Sequence, residues 1–260
     1  MQGDASSLIG PGEGPAAVVE TPGGGAPVVL VCEHASNHIP AALDGLGLAP
    51  AARASHAAWD IGARALARAL SARLDAPLVL SRVSRLVYDC NRPPEAPAAM
   101  PAQSEAFAVP GNRALTPAQR AARVRAVYRP FRDLLARTLD AKGPCTLVTV
   151  HSFTPVYDGV PRAVELGLLH DDDPALAQTM LRAAPAHLQL RTRLNAPYSA
   201  ADGVTHTLRE HATARGLPSV MIEVRNDLLG DAAAIGRIAD GLAAMIAACV
   251  PAAAGAAGPR

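Results

Sequence analysis

The chain has 260 residues, 50% of them hydrophobic and 18% charged, with a formal net charge of +1. That is ample material for one large α/β domain or two small ones. The near-zero charge, the 3% aromatic content and the lack of any basic run interleaved with aromatics argue against nucleic acid or an anionic membrane surface as partner.

Residues 1–26 are rich in Gly, Pro and Ala and are expected to form a flexible N-terminal tail. Their start, MQGDASSLIGPGEGP, has no basic segment followed by an apolar core, so no signal peptide is expected. Residues 27–250 are expected to form a single α/β domain, and 251–260 a flexible C-terminal tail. Pro27–Cys32 (PVVLVC) reads as a buried strand. Trp59–Leu74 carries Leu66, Leu70 and Leu74 at helical spacing, with Arg64, Arg68 and Arg73 between them. Pro77–Ser81 (PLVLS) is a second buried strand. Thr116-Pro117 opens a helix as N-cap and first residue, running to about Leu139, and Pro130 inside it predicts a kink. Thr146–Val150 (TLVTV), roughly Ala163–Leu169, and Ser219–Val224 complete the strands. Asp231 begins a last helix that runs to about Cys249. Apolar runs such as Ala243–Val250 are too short for a membrane span. Cys32, Cys90, Cys145 and Cys249 are scattered without CxxC spacing and read as reduced thiols, which places the protein in the cytoplasm.

Short apolar strands alternating with helices predict a three-layer α/β/α fold with a mostly parallel mixed sheet. Ligands bind such sheets beyond the carboxyl ends of the strands. Polar residues gather there: Glu33-His34 after PVVLVC, His151-Ser152 after TLVTV, and Glu223 with Arg225 after SVMI. Either histidine alone would be an ordinary hydrogen-bonded residue. Two, each ending an apolar strand, suit zinc, which in catalytic sites takes three protein ligands and keeps one position open.

The runs VCEHASNHIP (Val31–Pro40), Trp59-Asp60, SRLVYDCNRP (Ser84–Pro93), VTVHSFTPVYDGVPR (Val148–Arg162), NAPYSAADGVTHTLREH (Asn195–His211) and IEVRNDLL (Ile222–Leu229) resemble, in order, the N-formylglutamate amidohydrolase-like family. The resemblance implies hydrolysis of the N-formyl, or another N-acyl, amide of an acidic amino acid such as N-formyl-L-glutamate. More distantly, the chain is similar to zinc carboxypeptidases and aspartoacylases, which implies their fold and a bound Zn2+ or other divalent metal. In those families a first His, a Glu three residues later and a second His hold the zinc. An Asn-Arg pair grips the substrate carboxylate, and a late Glu is the general base. Carried over, His34 and His151 become metal ligands, Asn91 and Arg92 the clamp, and Glu223 the base.

The chain departs from that pattern at Asn37, which stands where the ligand Glu is expected. Asp60, Glu33 and Asn37 are the candidates for third ligand, and Asp60, at a helix start facing the catalytic edge, is favoured. Arg85, Ser152, Tyr198 and Arg225 are further substrate-binding candidates. Arg85 could instead pair with Asp89, and Arg225 with Glu223. Asp202 shares a loop with Tyr198 that could close over substrate. His206 and His211 read as surface helix residues, and His170 with Asp171–Asp173 as a solvated turn. Cys32 as nucleophile, with His34 or His38 as base, ranks below the metal reading because it lies inside a strand. The rival reading from another class is a small-molecule binding protein of the same fold that holds no metal, kept open by Asn37.

Overall fold

The computed structural model describes residues 8–250. Its strands are β1 (Ala17–Glu20), β2 (Val28–Cys32), β3 (Leu78–Ser81), β4 (Gln103–Ser104), β5 (Phe107–Ala108), β6 (Thr146–Phe153), β7 (Val156–Tyr157), β8 (Val160–Pro161), β9 (Leu166–Leu169), β10 (Thr192–Leu194) and β11 (Ser219–Arg225). The α-helices are α1 (Pro50–Ala54), α2 (Ala63–Leu74), α3 (Pro117–Arg123), α4 (Arg129–Lys142), α5 (Ala175–His187) and α6 (Ala232–Cys249). Seven strands make the central sheet in the order β1-β3-β2-β6-β11-β9-β10, while β4-β5 and β7-β8 are small hairpins. Strands β3, β2, β6 and β11 run parallel, β1 is antiparallel to β3, and β9 is antiparallel to β11. The result is a mixed, mostly parallel sheet between two helical layers.

Every residue of β2 and of β6 is buried, because both faces of the parallel core are covered. Leu30, Val148, Val150 and Ile222 pack against α2, α5 and α6. Val29, Val31, Leu147 and Met221 face the opposite layer, which includes Phe131, Leu135 and Leu139 of α4 and Leu208 and Ala212. By length and composition α6, at 18 residues and mean hydropathy 1.5, is apolar enough to cross a membrane. Here Ile238, Leu242, Met245 and Ile246 are buried core, and Asp240 on its outer side pairs with Arg73 at 2.6 Å.

The expected Thr116 cap is present, and Asp231, expected to begin the last helix, caps it. The Asp231 side chain accepts from Ala234 N at 2.8 Å, and Thr116 forms a reciprocal capping box with Gln119. Pro130 lies in the first turn of α4, and the chain enters it through a wide π turn at Val124–Tyr128, which takes the place of the expected kink. Three boundaries are corrected. Part of the expected N-terminal tail is ordered, since Ala17–Glu20 pairs with β3. Residues 1–7 and 251–260 of the two expected tails lie outside the described residues. The helix expected from Trp59 begins at Ala63, so Asp60 lies in the turn before it. Strand β6 continues through Phe153, so His151 and Ser152 belong to the strand and point to opposite faces.

Candidate active site

Four parallel strands end on one edge, and each delivers a polar group there. The turn after β2 carries Glu33 and His34, the segment after β3 carries Arg85 and Asp89, β6 carries His151, and β11 carries Glu223. Asp60 joins them from the turn before α2, where its N–H donates to His34 O at 3.0 Å. The turn needs Gly62: its φ is +86°, and a Cβ there would lie 2.6 Å from Leu229 Cβ.

The two histidines converge on one carboxylate oxygen. His151 Nδ1 lies 2.9 Å and His34 Nδ1 3.3 Å from Asp60 Oδ2. The opposite ring nitrogens face other buried carboxylates: His34 Nε2 donates to Asp89 Oδ1 at 2.7 Å, and His151 Nε2 lies 3.1 Å from Glu33 Oε2, off the line of a regular hydrogen bond. Arg85 bridges Asp60 and Asp89, 3.3 Å from each. Burial opposes the charge on Asp60, yet His34 and His151 hold its carboxyl well below the usual range. Burial likewise opposes the charge on Asp89, and His34 and Arg85 hold it far down.

His34, Asp60 and His151 are buried, offer ligand atoms within 4.8 Å of one another, and could hold a metal ion. Their chemistry fits one. Two imidazole nitrogens and a carboxylate oxygen are a common borderline-soft donor set, and a carboxylate on the far nitrogen turns the other lone pair toward a metal. The three form part of the wall of a cavity of about 380 Å³, together with His56, Arg85, Asn91, Arg92, Ser152, Tyr198 and Glu223.

Glu223 pairs in register with His151, so both side chains lie on the same face of adjacent strands. Its Oε2 is buried and has no hydrogen-bond partner among the described residues. Burial lifts its pKa to about 7, against the pull of His151. On its other side stands Gly167, where a Cβ would lie 2.1 Å from Ala196 O. That close approach brings the loop carrying Tyr198 over the site.

Several expected residues are placed differently. Asn37 turns away and donates to Arg53 O. Asn91 is buried and holds the 204–207 segment, donating to Val204 O and accepting from Thr207 N at 2.9 Å. Arg92 reaches Gly203 O at 2.8 Å through Nη1 and has no acidic partner among the described residues. Ser152 is part of the cavity wall, and its hydroxyl donates to Ile61 O at 2.7 Å, which ties it to the Asp60 turn. Arg225 pairs with Asp227 and Glu165, not with Glu223, and is not part of the cavity wall; the acids beyond the strand end draw it away. Tyr198 accepts from Arg162 at 3.0 Å, and the Arg162 guanidinium stacks within 5.5 Å of the Phe153, Tyr157 and Tyr198 ring centres. Asp202, on the cavity rim, accepts from Ser199 N. His206 lies 2.8 Å from the Tyr128 hydroxyl, and His211 is buried. Asp171 is also buried, on Thr205 and Arg209, so that turn is not merely solvated. Burial, Asp60 and Glu33 raise the Cys32 thiol well above its ordinary value, which leaves it inert.

Sequence reasoning passed over His56 and gave Asp89 only a structural role. His56 Nε2 lies 3.7 Å from Asp60 Oδ1, and burial lowers its pKa to about 4, so it is neutral. The His56–Asp60 spacing of four residues was the available signal.

The sequence profile of the N-formylglutamate amidohydrolase family matches residues 26–229. Gene product Atu2144 from Agrobacterium tumefaciens is 48% identical over 93% of this chain and 97% of that one, with a TM-score of 0.90. An N-formylglutamate amidohydrolase from Ralstonia eutropha JMP134 is 19% identical over 88% of this chain and 95% of that one, with a TM-score of 0.68, a likeness of fold. No curated protein matches the chain.

Proposed function

The chain belongs to the N-formylglutamate amidohydrolase family, a hydrolase family acting on amide bonds, and on that premise we propose that it is a zinc-dependent hydrolase of N-acyl acidic amino acids, N-formyl-L-glutamate among them. The observation that carries this reading is the convergence of His34 Nδ1, His151 Nδ1 and the Asp60 carboxylate beside the unpartnered carboxylate of Glu223.

His34, Asp60 and His151 would hold the metal, with Asp60 in the role that Asn37 leaves open. When bound, zinc would polarise the amide carbonyl and acidify water at the site. Asp89 holds the Nε2 proton of His34 and so keeps that ring oriented. Glu223 accepts a proton from the attacking water on Oε2 as the new C–O bond forms. It then passes that proton to the leaving nitrogen as the C–N bond breaks, giving a carboxylic acid and an amine, which part as carboxylate and ammonium once the acid's proton has also moved to the amine. Arg85 keeps the Asp60–Asp89 pair neutralised and in place. Arg92, with no acid of its own, grips the substrate carboxylate and sets the amide over the site. Asn91 acts on that grip through the segment it anchors. Tyr198 closes the wall. Four free thiols, three of them buried, support a reducing compartment, the cytoplasm.

The test is hydrolysis of N-formyl-L-glutamate by zinc-loaded protein, with a series of N-acyl amino acids and amides lacking a carboxylate beside it. Turnover confined to carboxylate-bearing substrates, abolished by chelation and restored by zinc, supports the reading. Metal-loaded protein that cleaves none of them contradicts it.

A further inference from the structure

We propose that Glu33 is a positioning residue for His151: its carboxylate takes the Nε2 proton of that imidazole and so turns the Nδ1 lone pair toward the cavity. This rests on the metal-hydrolase reading above.

The two ring nitrogens of His151 face opposite carboxylates. Asp60 Oδ2 lies 2.9 Å from Nδ1 on the cavity side, and Glu33 Oε2 lies 3.1 Å from Nε2 on the protein side. Both carboxylates are acceptors, so neither supplies a proton; with the Nδ1 lone pair given to a metal, the ring's one N–H would be at Nε2, and Glu33 is the acceptor that faces it. Glu33 is 1% exposed and forms no part of the cavity wall, so it does not touch substrate. Neither of its oxygens makes a regular hydrogen bond among the described residues. Burying a carboxylate with so little return is costly, and among the described residues no Lys or Arg pairs with it. What Glu33 has instead is His151.

The chain gets it there simply. Strand β2 ends at Cys32, so Glu33 and His34 sit in the turn beyond it and are released from the strict alternation of a strand. His34 enters the cavity wall, and Glu33 passes to the far side of the neighbouring strand's histidine. One turn therefore provides one metal-facing histidine and the carboxylate that orients the other.

Zinc affinity is measured by competition with a chromophoric chelator for wild type and Glu33→Gln, with circular dichroism to confirm folding. Glu33→Gln keeps the shape and loses the charge, so its Kd for zinc should rise about 10–100-fold with one equivalent still bound at saturation. A long-range 1H–15N spectrum of zinc-loaded wild type should show His151 protonated at Nε2. A folded Glu33→Gln protein with the wild-type Kd, or a wild-type His151 protonated at Nδ1, overturns the assignment. Loss of stoichiometric binding in Glu33→Gln overturns it too, by making Glu33 a ligand. Wild type that takes up no zinc at all overturns the metal reading itself, and is recognised because both proteins are then alike.

Discussion

The two faces of the central sheet use the same strands for opposite purposes. Toward α2, α5 and α6, strands β2, β6 and β11 present Leu30, Val148, Val150, Ile222 and Val224 to an apolar layer. On the other face β6 and β11 carry Thr149, His151 and Glu223 alongside Leu147 and Met221. Thr149 Oγ1 and Glu223 Oε2 there have no hydrogen-bond partner among the described residues, and His151 Nε2 meets only Glu33, off the line of a regular hydrogen bond. One face supplies apolar burial, and the other tolerates buried polar groups that folding alone does not reward.

Substitutions on the two faces should therefore fail in different ways. The largest effect is expected at Glu223→Gln, which is nearly isosteric and removes only the proton acceptor. Stopped assays should find kcat lower by about 10²–10⁴-fold with KM little changed. A variant that turns over at the wild-type rate per folded molecule would break the comparison. On the opposite face, Leu242→Ala should lower unfolding free energy by about 2–5 kcal/mol in urea titrations while activity per folded molecule stays the same. Next comes Arg92→Lys, which keeps charge and loses the planar fork. Its KM for N-formyl-L-glutamate should rise by roughly ten- to a hundredfold, about 1.5–3 kcal/mol. Removing the substrate carboxylate should harm wild type far more than this variant.

The smallest effect is in pH dependence. Burial raises Glu223 from its ordinary 4.5 to about 7, so across that window the folded chain keeps a proton that the unfolded chain has lost. Chelated wild type therefore loses stability as pH rises from about 4.5 to 7, and Glu223→Gln should flatten that contribution. A dication bound at the site would pull the carboxyl down, so under the proposed reading the acid limb of the rate profile should fall at or below about 7. An identical pH–stability slope in the two proteins would remove burial of the charged carboxylate as the cause.

Much of the frame was legible because it is written locally. PVVLVC, PLVLS, TLVTV and SVMIEV are continuous apolar runs, the pattern of strands covered on both sides, and Thr116 and Asp231 are plain caps. Strand β1 was not legible, since four residues among glycines and prolines become a strand only by pairing with β3. Helix α5 was hidden by its alanines and by Pro185 near its end. Within the site, His34, His151 and Glu223 stood out as polar residues at the ends of apolar runs, and Asp60 as a helix-start carboxylate. Asp89 was legible only as the partner of Arg85 four residues before it; its contact with His34, and that of Glu33 with His151, have no local signal because those histidines arrive from other segments. Arg225 shows the limit of period-two reasoning: its spacing from Glu223 is right, but Asp227 and Glu165 hold it beyond the cavity.

The most direct test of the central claim is elemental analysis of protein purified without a polyhistidine tag, for wild type, His34→Ala, Asp60→Ala and His151→Ala. The account expects close to one equivalent of zinc in wild type and a sharp loss in all three folded variants, with Asn37→Ala unchanged. Full, tightly held metal in any of the three would remove that residue from the site, and wild type that binds no divalent metal would contradict the account.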